Sequence, residues 1–226
     1  MDKVASVEMP TVTGSAPRNA AATLELLAQI KRYRRDETLH WAGEQANYWY
    51  RMVSGAARQS VLTADGRRQV VDFLLPGDLF GFAVGDEHEF TVDIIAADTT
   101  IARYPRFDTE RLCELDPGVG RHLCEAASKA ISRLRRHITL MGGSSAIGKV
   151  SGFLLELTSR SATAPSDTVA LPMSRYDIAD YLAMAVETVS RAFSVLRREE
   201  TIALDGARQV WIVDRGALMR RSAPPG

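Results

Sequence analysis

Apolar residues along this chain recur with two different periods, and the switches between them divide it into parts. Over 22–31, Leu24, Leu27 and Ile30 fall at helical spacing and predict a short helix. Short apolar runs follow at 33–41, 47–53, 57–63, 69–75, 90–96 and 100–104, separated by Gly, Pro and Asp signals such as Ser54-Gly55, Asp65-Gly66 and Pro76-Gly77. Many short strands at such intervals predict an antiparallel sandwich or barrel. After Pro105 the helical period returns. Asp116-Pro117 marks a helix start with proline at the first position. Val119, Leu123, Ala127, Ala130, Leu134, Ile138 and Met141 then form a stripe about six turns long, able to pack on the sandwich. Arg133, Arg135 and Arg136 flank the stripe and read as a solvated face. Gly142-Gly143-Ser144 predicts a hinge with positive φ, 145–159 a further helix, and 161–167 a Pro/Ser/Thr loop.

The most informative stretch is 174–197. Ser174 can cap a short helix, with Asp177 at N3 to answer it and Ile178, Tyr181 and Leu182 on one face. After Ala183-Met184-Ala185 a second helix is predicted, with Val189, Phe193 and Leu196 inward and Glu187, Ser190, Arg191 and Ser194 outward. That is a helix-turn-helix pattern whose outer face carries base-reading chemistry. Arginine can grip guanine O6 and N7, glutamate can accept from cytosine N4, serine can bond to several base edges, and Val186 can touch a thymine methyl. Glu187 and Arg191 stand four apart, so a plain surface ion pair is the alternative reading. Over 201–213 two apolar runs flank Asp205-Gly206, a strong hairpin signal. Helix-turn-helix plus hairpin is a winged helix, with Arg208 near the tip of the wing.

The run from Leu171 to Leu196 resembles the DNA-binding signature of the Crp/Fnr regulators, on the Fnr and FixK branch. The Val-Glu-x-x-Ser-Arg pattern of that branch is matched by Val186, Glu187, Ser190 and Arg191. Pro76-Gly77-Asp78-Leu79-Phe80-Gly81 resembles the turn before the family's nucleotide phosphate cassette. The resemblance implies an α+β chain: a tail over 1–20, an antiparallel β-roll of jelly-roll, cyclic-nucleotide-binding-like form over 21–112, a dimerisation helix over 113–143, and a winged helix-turn-helix over 144–226. It further implies a homodimer reading a TTGAT half-site and its inverted copy, with Arg191 and Glu187 on the G·C pair and Ser190 beside a thymine. Val186 stands where cyclic-AMP-receptor-like members carry Arg, which favours TTGAT over a TGTGA-type half-site. Phosphate contacts are expected from Ser174, Arg175, Thr188, Arg197, Arg198 and Arg208. The seam of the dimer is expected along the stripe from Val119 to Met141, and contact with RNA polymerase near the 161–167 loop. The resemblance favours activation of transcription.

Charge supports the division. Residues 1–120 hold 13 Lys/Arg against 18 Asp/Glu and residues 121–226 hold 15 against 10, so an acidic part precedes a basic one. No secretory signal or apolar run of membrane-spanning length is read, and a cytoplasmic protein is expected. Cys113 and Cys124 are too few for the four-thiolate ligation of an iron–sulfur cluster, while His40, His88, His122 and His137 are scattered and read as ordinary core or surface residues. No metal or cofactor is expected. A buried cyclic-nucleotide phosphate needs Arg or well-aimed donors, yet Gln69 to Ala102 contains no Lys or Arg, Phe82 takes the place of the family's Glu, and Phe90-Thr91-Val92 fills the Arg-Ser region. No cyclic nucleotide is expected. The alternative is a ligand- or haem-gated sensor with DNA binding as output. Gly-x-Ser-x-Gly, phosphate-binding Lys-loop and His-Glu-x-x-His motifs are missing from the sequence, which argues against an enzyme.

Overall fold

The computed structural model describes residues 20–143, 145–160, 167–206 and 208–222. The expected tail over 1–20, apart from residue 20, and the expected 161–167 loop, apart from residue 167, lie outside them. The first helix, α1 (Ala20–Glu25), stops short of the 22–31 expected, and Ile30 belongs instead to β1 (Gln29–Tyr33), where it stands 56% exposed. The strand pairs antiparallel with β8 (Thr99–Pro105), so a partner backbone was available and the β-branched Ile fits a pleated surface.

The other strands of the roll are β2 (Thr38–His40), β3 (Tyr48–Ser54), β4 (Ala57–Leu62), β5 (Arg68–Leu74), β6 (Leu79–Phe80) and β7 (Thr91–Ile94). They form two antiparallel sheets, β1-β8-β3-β6 and β2-β7-β4-β5, as the strand pattern predicts. The run expected as one strand over 33–41 is broken at Asp36, whose φ of 67° turns the chain from one sheet to the other. Tyr50, Met52, Leu74, Phe80, Val92, Ile94 and Ile101 fill the space between them.

One part of this interior is aromatic. His40 and His88 stack with ring centroids 3.6 Å apart and planes 15° from parallel, and Tyr50 lies against His40 at 5.5 Å and Phe80 at 5.3 Å. Burial, then the neighbouring His88, push the His40 pKa down to about 3, and backbone groups at Trp41 and Phe90 oppose this only in part. The two histidines are core residues held neutral, and their rings occupy the heart of the roll.

Three helices lead out of the roll: α2 (Arg106–Leu115), α3 (Pro117–Gly143) and α4 (Ala146–Arg160). Pro117 opens α3 as expected. The first turns of α3 lie on the roll, where Val119 and Leu123 are buried with Leu24, Leu79, Ala102 and Tyr104. Those two stripe residues are therefore consumed within the chain, which corrects their expected place in a dimer seam. Farther along, Leu134 and Ile138 are exposed, as is Ile131, while Ala127, Ala130 and Met141 are half-buried.

Arg133 is a second correction. It is not solvated but 8% exposed, with Nη2 2.9 Å from Asp72 Oδ2 and Nη1 3.3 Å from Asp78 Oδ1. The two aspartates belong to β5 and the turn after it, and a buried guanidinium needs such partners. Gly77, at φ 94°, lets that turn close, and the Asp78 carboxylate accepts from Leu75 N at 2.7 Å. At the other end of α3 the expected glycine hinge is also revised: α3 runs through Gly143, Gly142 has no positive φ, and α4 begins at Ala146.

Candidate nucleic-acid interface

The last third of the chain adds β9 (Thr168–Ala170), α5 (Arg175–Leu182), α6 (Val186–Arg198), β10 (Ile202–Asp205), β11 (Gln209–Ile212) and α7 (Arg215–Ser222). β10 and β11 are the expected hairpin, with Gly206 at φ 64°, and β9 extends it to three antiparallel strands. β9 was not read from the sequence, because three residues beside a Pro/Ser/Thr loop carry too short a pattern.

α5 begins with the capping box predicted: Asp177 N donates to Ser174 Oγ at 3.1 Å and Ser174 N to Asp177 Oδ2 at 2.9 Å. Ile178, Ala179, Tyr181 and Leu182 are buried. The chain then turns at Ala183, which sits in the left-handed region at φ 47°, and α6 starts three residues later. On α6 the spacing of Val189, Ala192, Phe193 and Leu196 places all four in the core, against Val150, Phe153 and Leu154 of α4.

Burying that face fixes what the other presents. Glu187, Ser190, Arg191, Ser194, Arg197 and Arg198 are exposed, and Thr188 is half-buried. Among the described residues no ion pair joins Glu187 and Arg191, and both side chains face outward. Val186 is half-buried, packed on the core at the start of α6 with part of its side chain outward. Arg197 and Arg198 close the last turn, where cations complement the helix dipole. Arg208 is exposed at the start of the wing's second arm, and its carbonyl accepts from Leu171 N at 2.7 Å.

Two expected phosphate contacts look different in the structure. Ser174 donates its hydroxyl proton to Asp177 Oδ2 at 2.7 Å while its oxygen caps the helix, so no donor remains for a phosphate. This is a correction: Ser174 shapes the motif rather than touching a ligand. Arg175 lies with its guanidinium carbon 3.3 Å from the Phe193 ring centroid and Nη1 buried without a partner. Burial pushes its pKa down to about 10, which still leaves it charged at neutral pH.

Sequence reasoning missed the contacts that tie this module to the roll. Arg58 of β4 reaches Asp177 Oδ1 at 2.7 Å, and Arg68 of β5 reaches Asp177 Oδ1 at 3.1 Å and Asp180 Oδ2 at 2.6 Å. Arg160 of α4 pairs with Asp78, and His137 of α3 stacks on Tyr181 of α5 at 3.9 Å. Partners this far apart along the chain, more than a hundred positions for the Arg58 and Arg68 contacts, leave no local signal.

Known proteins agree with this geometry. Residues 148–221 match the Crp-like helix-turn-helix domain and residues 30–116 the cyclic nucleotide-binding domain. The nitrogen fixation regulation protein FixK of Bradyrhizobium diazoefficiens is 40% identical over 170 residues, 74% of this chain and 71% of that one. The transcriptional activatory protein AadR of Rhodopseudomonas palustris is 38% identical over 188 residues, 81% of this chain and 78% of that one. The solved structure of FixK2 from Bradyrhizobium japonicum superposes with a TM-score of 0.81 at 38% identity, covering 88% of this chain and 99% of that one. This family is one of transcription regulators rather than enzymes, and among the described residues no helix is long and apolar enough to cross a membrane. With its β-roll, long helix and winged helix-turn-helix, the chain belongs to the Crp/Fnr family of DNA-binding transcription regulators.

Proposed function

We propose that the protein works as a cytoplasmic homodimer that activates transcription by reading a TTGAT-N4-ATCAA-like palindrome, with no cyclic nucleotide required. The observation that carries the reading is the free outer face of α6: Glu187, Ser190 and Arg191 stand exposed on a helix whose other face is locked into the core. Arg191 grips the guanine, Glu187 accepts from the paired cytosine, Ser190 lies beside a thymine and the outward part of Val186 meets a methyl. Arg175, Thr188, Arg197, Arg198 and Arg208 contact phosphates and supply affinity without sequence information.

The functional division follows 21–112 as roll, 113–143 as dimerisation helix and 144–226 as DNA module. Exposed Ile131, Leu134 and Ile138 form the seam with Ala127, Ala130 and Met141 beside them. Two-fold symmetry then puts the reading helices in successive major grooves about 34 Å apart, matching half-site centres about 10 base pairs apart. The relatives FixK and AadR, named as a nitrogen fixation regulator and a transcriptional activatory protein, support an activator, with RNA polymerase as the partner at the promoter. Two features support independence from a nucleotide: the stacked His40, His88, Tyr50 and Phe80 rings inside the roll, and the lack of any Lys or Arg between Gln69 and Ala102.

The test is binding of the purified, untreated protein to a duplex carrying TTGAT-N4-ATCAA at a stated salt concentration, with a control duplex in which the G·C pairs are exchanged. Tight binding selective by roughly a hundredfold or more is expected. Equal binding to both duplexes refutes the base assignments.

A further inference from the structure

β5 is the edge strand of its sheet, and α5 covers it. An uncovered edge offers unpaired backbone groups, so covering it with a helix has a structural reason. The polar contacts there are more specific than cover requires. Gln69 Nε2 donates to the Asp180 carbonyl at 2.6 Å, and Arg68 donates to Asp180 Oδ2 through Nε at 3.0 Å and Nη2 at 2.6 Å. Arg58 Nη1 donates to Asp177 Oδ1 at 2.7 Å, and Asp93 holds the other side of that guanidinium.

Asp177 is shared between two tasks. Its Oδ2 completes the cap of α5 and its Oδ1 faces the two arginines of the roll. The pull on Asp177 therefore acts on the start of the helix-turn-helix itself. Four residues along β5 from Arg68, Asp72 holds Arg133 of α3 and Arg160 of α4. Four residues of strand span about 14 Å. Two anchors that far apart on one rigid strand fix a rotation as well as a position.

We propose that Arg58 and Arg68 are positioning residues for DNA reading: through Asp177 and Asp180 they set the orientation of the helix-turn-helix on its own β-roll, and hence the separation of the two α6 helices in the dimer. The DNA consequence rests on the proposed palindrome reading. The contact does not cover the reading face, because the outward residues of α6 stay exposed. Its effect is geometric, so it governs which half-site spacing fits rather than which base is read.

The full-length chain is tested as Arg68→Asp, Asp180→Arg and the charge-swapped double variant, with Arg68→Gln as the milder change. Asp180 is chosen for the swap because it takes no part in the cap. Binding is measured to duplexes whose half-sites are separated by three, four, five or six base pairs. The unaltered protein is expected to prefer the four-base-pair spacing, Arg68→Asp to lose that preference by about tenfold, and the swap to recover it. Any added phosphate attraction from the new arginine cancels in a ratio of spacings. Amide exchange on the free protein is the second readout, with 175–182 exchanging at least tenfold faster in Arg68→Asp, β3 and β8 unchanged, and protection restored by the swap. Unchanged spacing preference and unchanged α5 protection in Arg68→Asp and Arg68→Gln overturn the inference. So does an Asp180→Arg variant, which leaves Asp177 untouched, that keeps both the spacing preference and the α5 protection. If the unaltered protein reads no bases, the palindrome reading fails by itself, while α5 exchange in the same variants still decides the attachment.

Discussion

Arg191 and Arg197 are both exposed on α6, about one and two-thirds turns apart, and the proposed reading gives them different kinds of contact. Arg191 lies on the face opposite Val189 and Phe193, in line with Glu187 one turn earlier, whereas Arg197 sits at the helix end. Replacing Arg191 by Ala should cost about 1–3 kcal/mol of binding at the cognate site and relax discrimination at the guanine, while Arg197→Ala should weaken all sequences alike and lower the salt slope by about one. Titrations against cognate and G·C-exchanged duplexes at several salt concentrations separate the two; equal losses on both duplexes for Arg191→Ala would remove it from the base contacts. Among the described residues neither side chain has a polar partner, so thermal stability should hardly move. Ala183 offers a converse case. It holds φ 47° without being glycine, so Ala183→Gly should stabilise the chain by about 1 kcal/mol in denaturant unfolding. Residue-scale features were legible where both partners stand close in sequence. The Ser174–Asp177 box and the inward triad of α6 could be read directly, but the burial of Arg133 depends on Asp72, sixty-one positions away.

At the scale of elements, α3 shows a periodic stripe whose first turns the roll takes into its own core. The stripe predicted from Val119 followed the apolar residues without knowing that the roll would take the first turns. Once Val119 and Leu123 are set aside, Cys124, Ala127, Ile131, Leu134, Ile138 and Met141 recur in steps of three and four, the spacing that the proposed heptad seam requires. Ile131 belongs to this set although the sequence stripe, which runs through Ala130, omits it. Cys124 is exposed and falls in the register of the proposed seam, where a parallel pairing would set it against its twin across the two-fold axis. Mild copper-phenanthroline oxidation should therefore give a covalent dimer on a non-reducing gel, lost in Cys124→Ser and kept in Cys113→Ser. A product that survives Cys124→Ser would place the seam elsewhere. Burial raises the Cys113 thiol pKa and leaves it less thiolate for the same chemistry. Helix starts and hairpins were legible because Pro117, Ser174 and Asp205-Gly206 act locally. The short α1, the split of 33–41 at Asp36 and strand β9 were not, because tertiary pairing decided each of them.

For the whole molecule, the sequence marks an acidic part and a basic part but not how they are joined. The join is apolar as well as charged: Val70 and Phe73 of β5 belong to the same core as Phe153, Ile178 and Phe193. Loosening the roll should therefore be felt in the DNA module, and acid is a selective way to loosen it. His40 is buried and neutral with a pKa near 3, and burial also lowers His88 and His137. In the unfolded chain each histidine titrates near 6.5, so between about pH 6.5 and 3 the unfolded state binds more protons and stability falls as pH falls. The stability in question is fully present above pH 6.5. At pH 5 the contribution lost through His40 alone is about 2 kcal/mol, from 1.5 pH units at about 1.4 kcal/mol each. Asp177 shifts in the same direction but in a lower window: burial raises its pKa, the Ser174 bonds and Arg58 outweigh that, and its contribution disappears only below about pH 4. Urea midpoints at pH 7.5, 6 and 5 should decline steadily in the unaltered protein. His40→Phe keeps an aromatic ring in the stack but removes the titration, so its slope between pH 6.5 and 5 should be shallower whatever its absolute stability. An unchanged slope in that variant would mean that the His40–His88 stack opens to water and takes up protons without unfolding the roll.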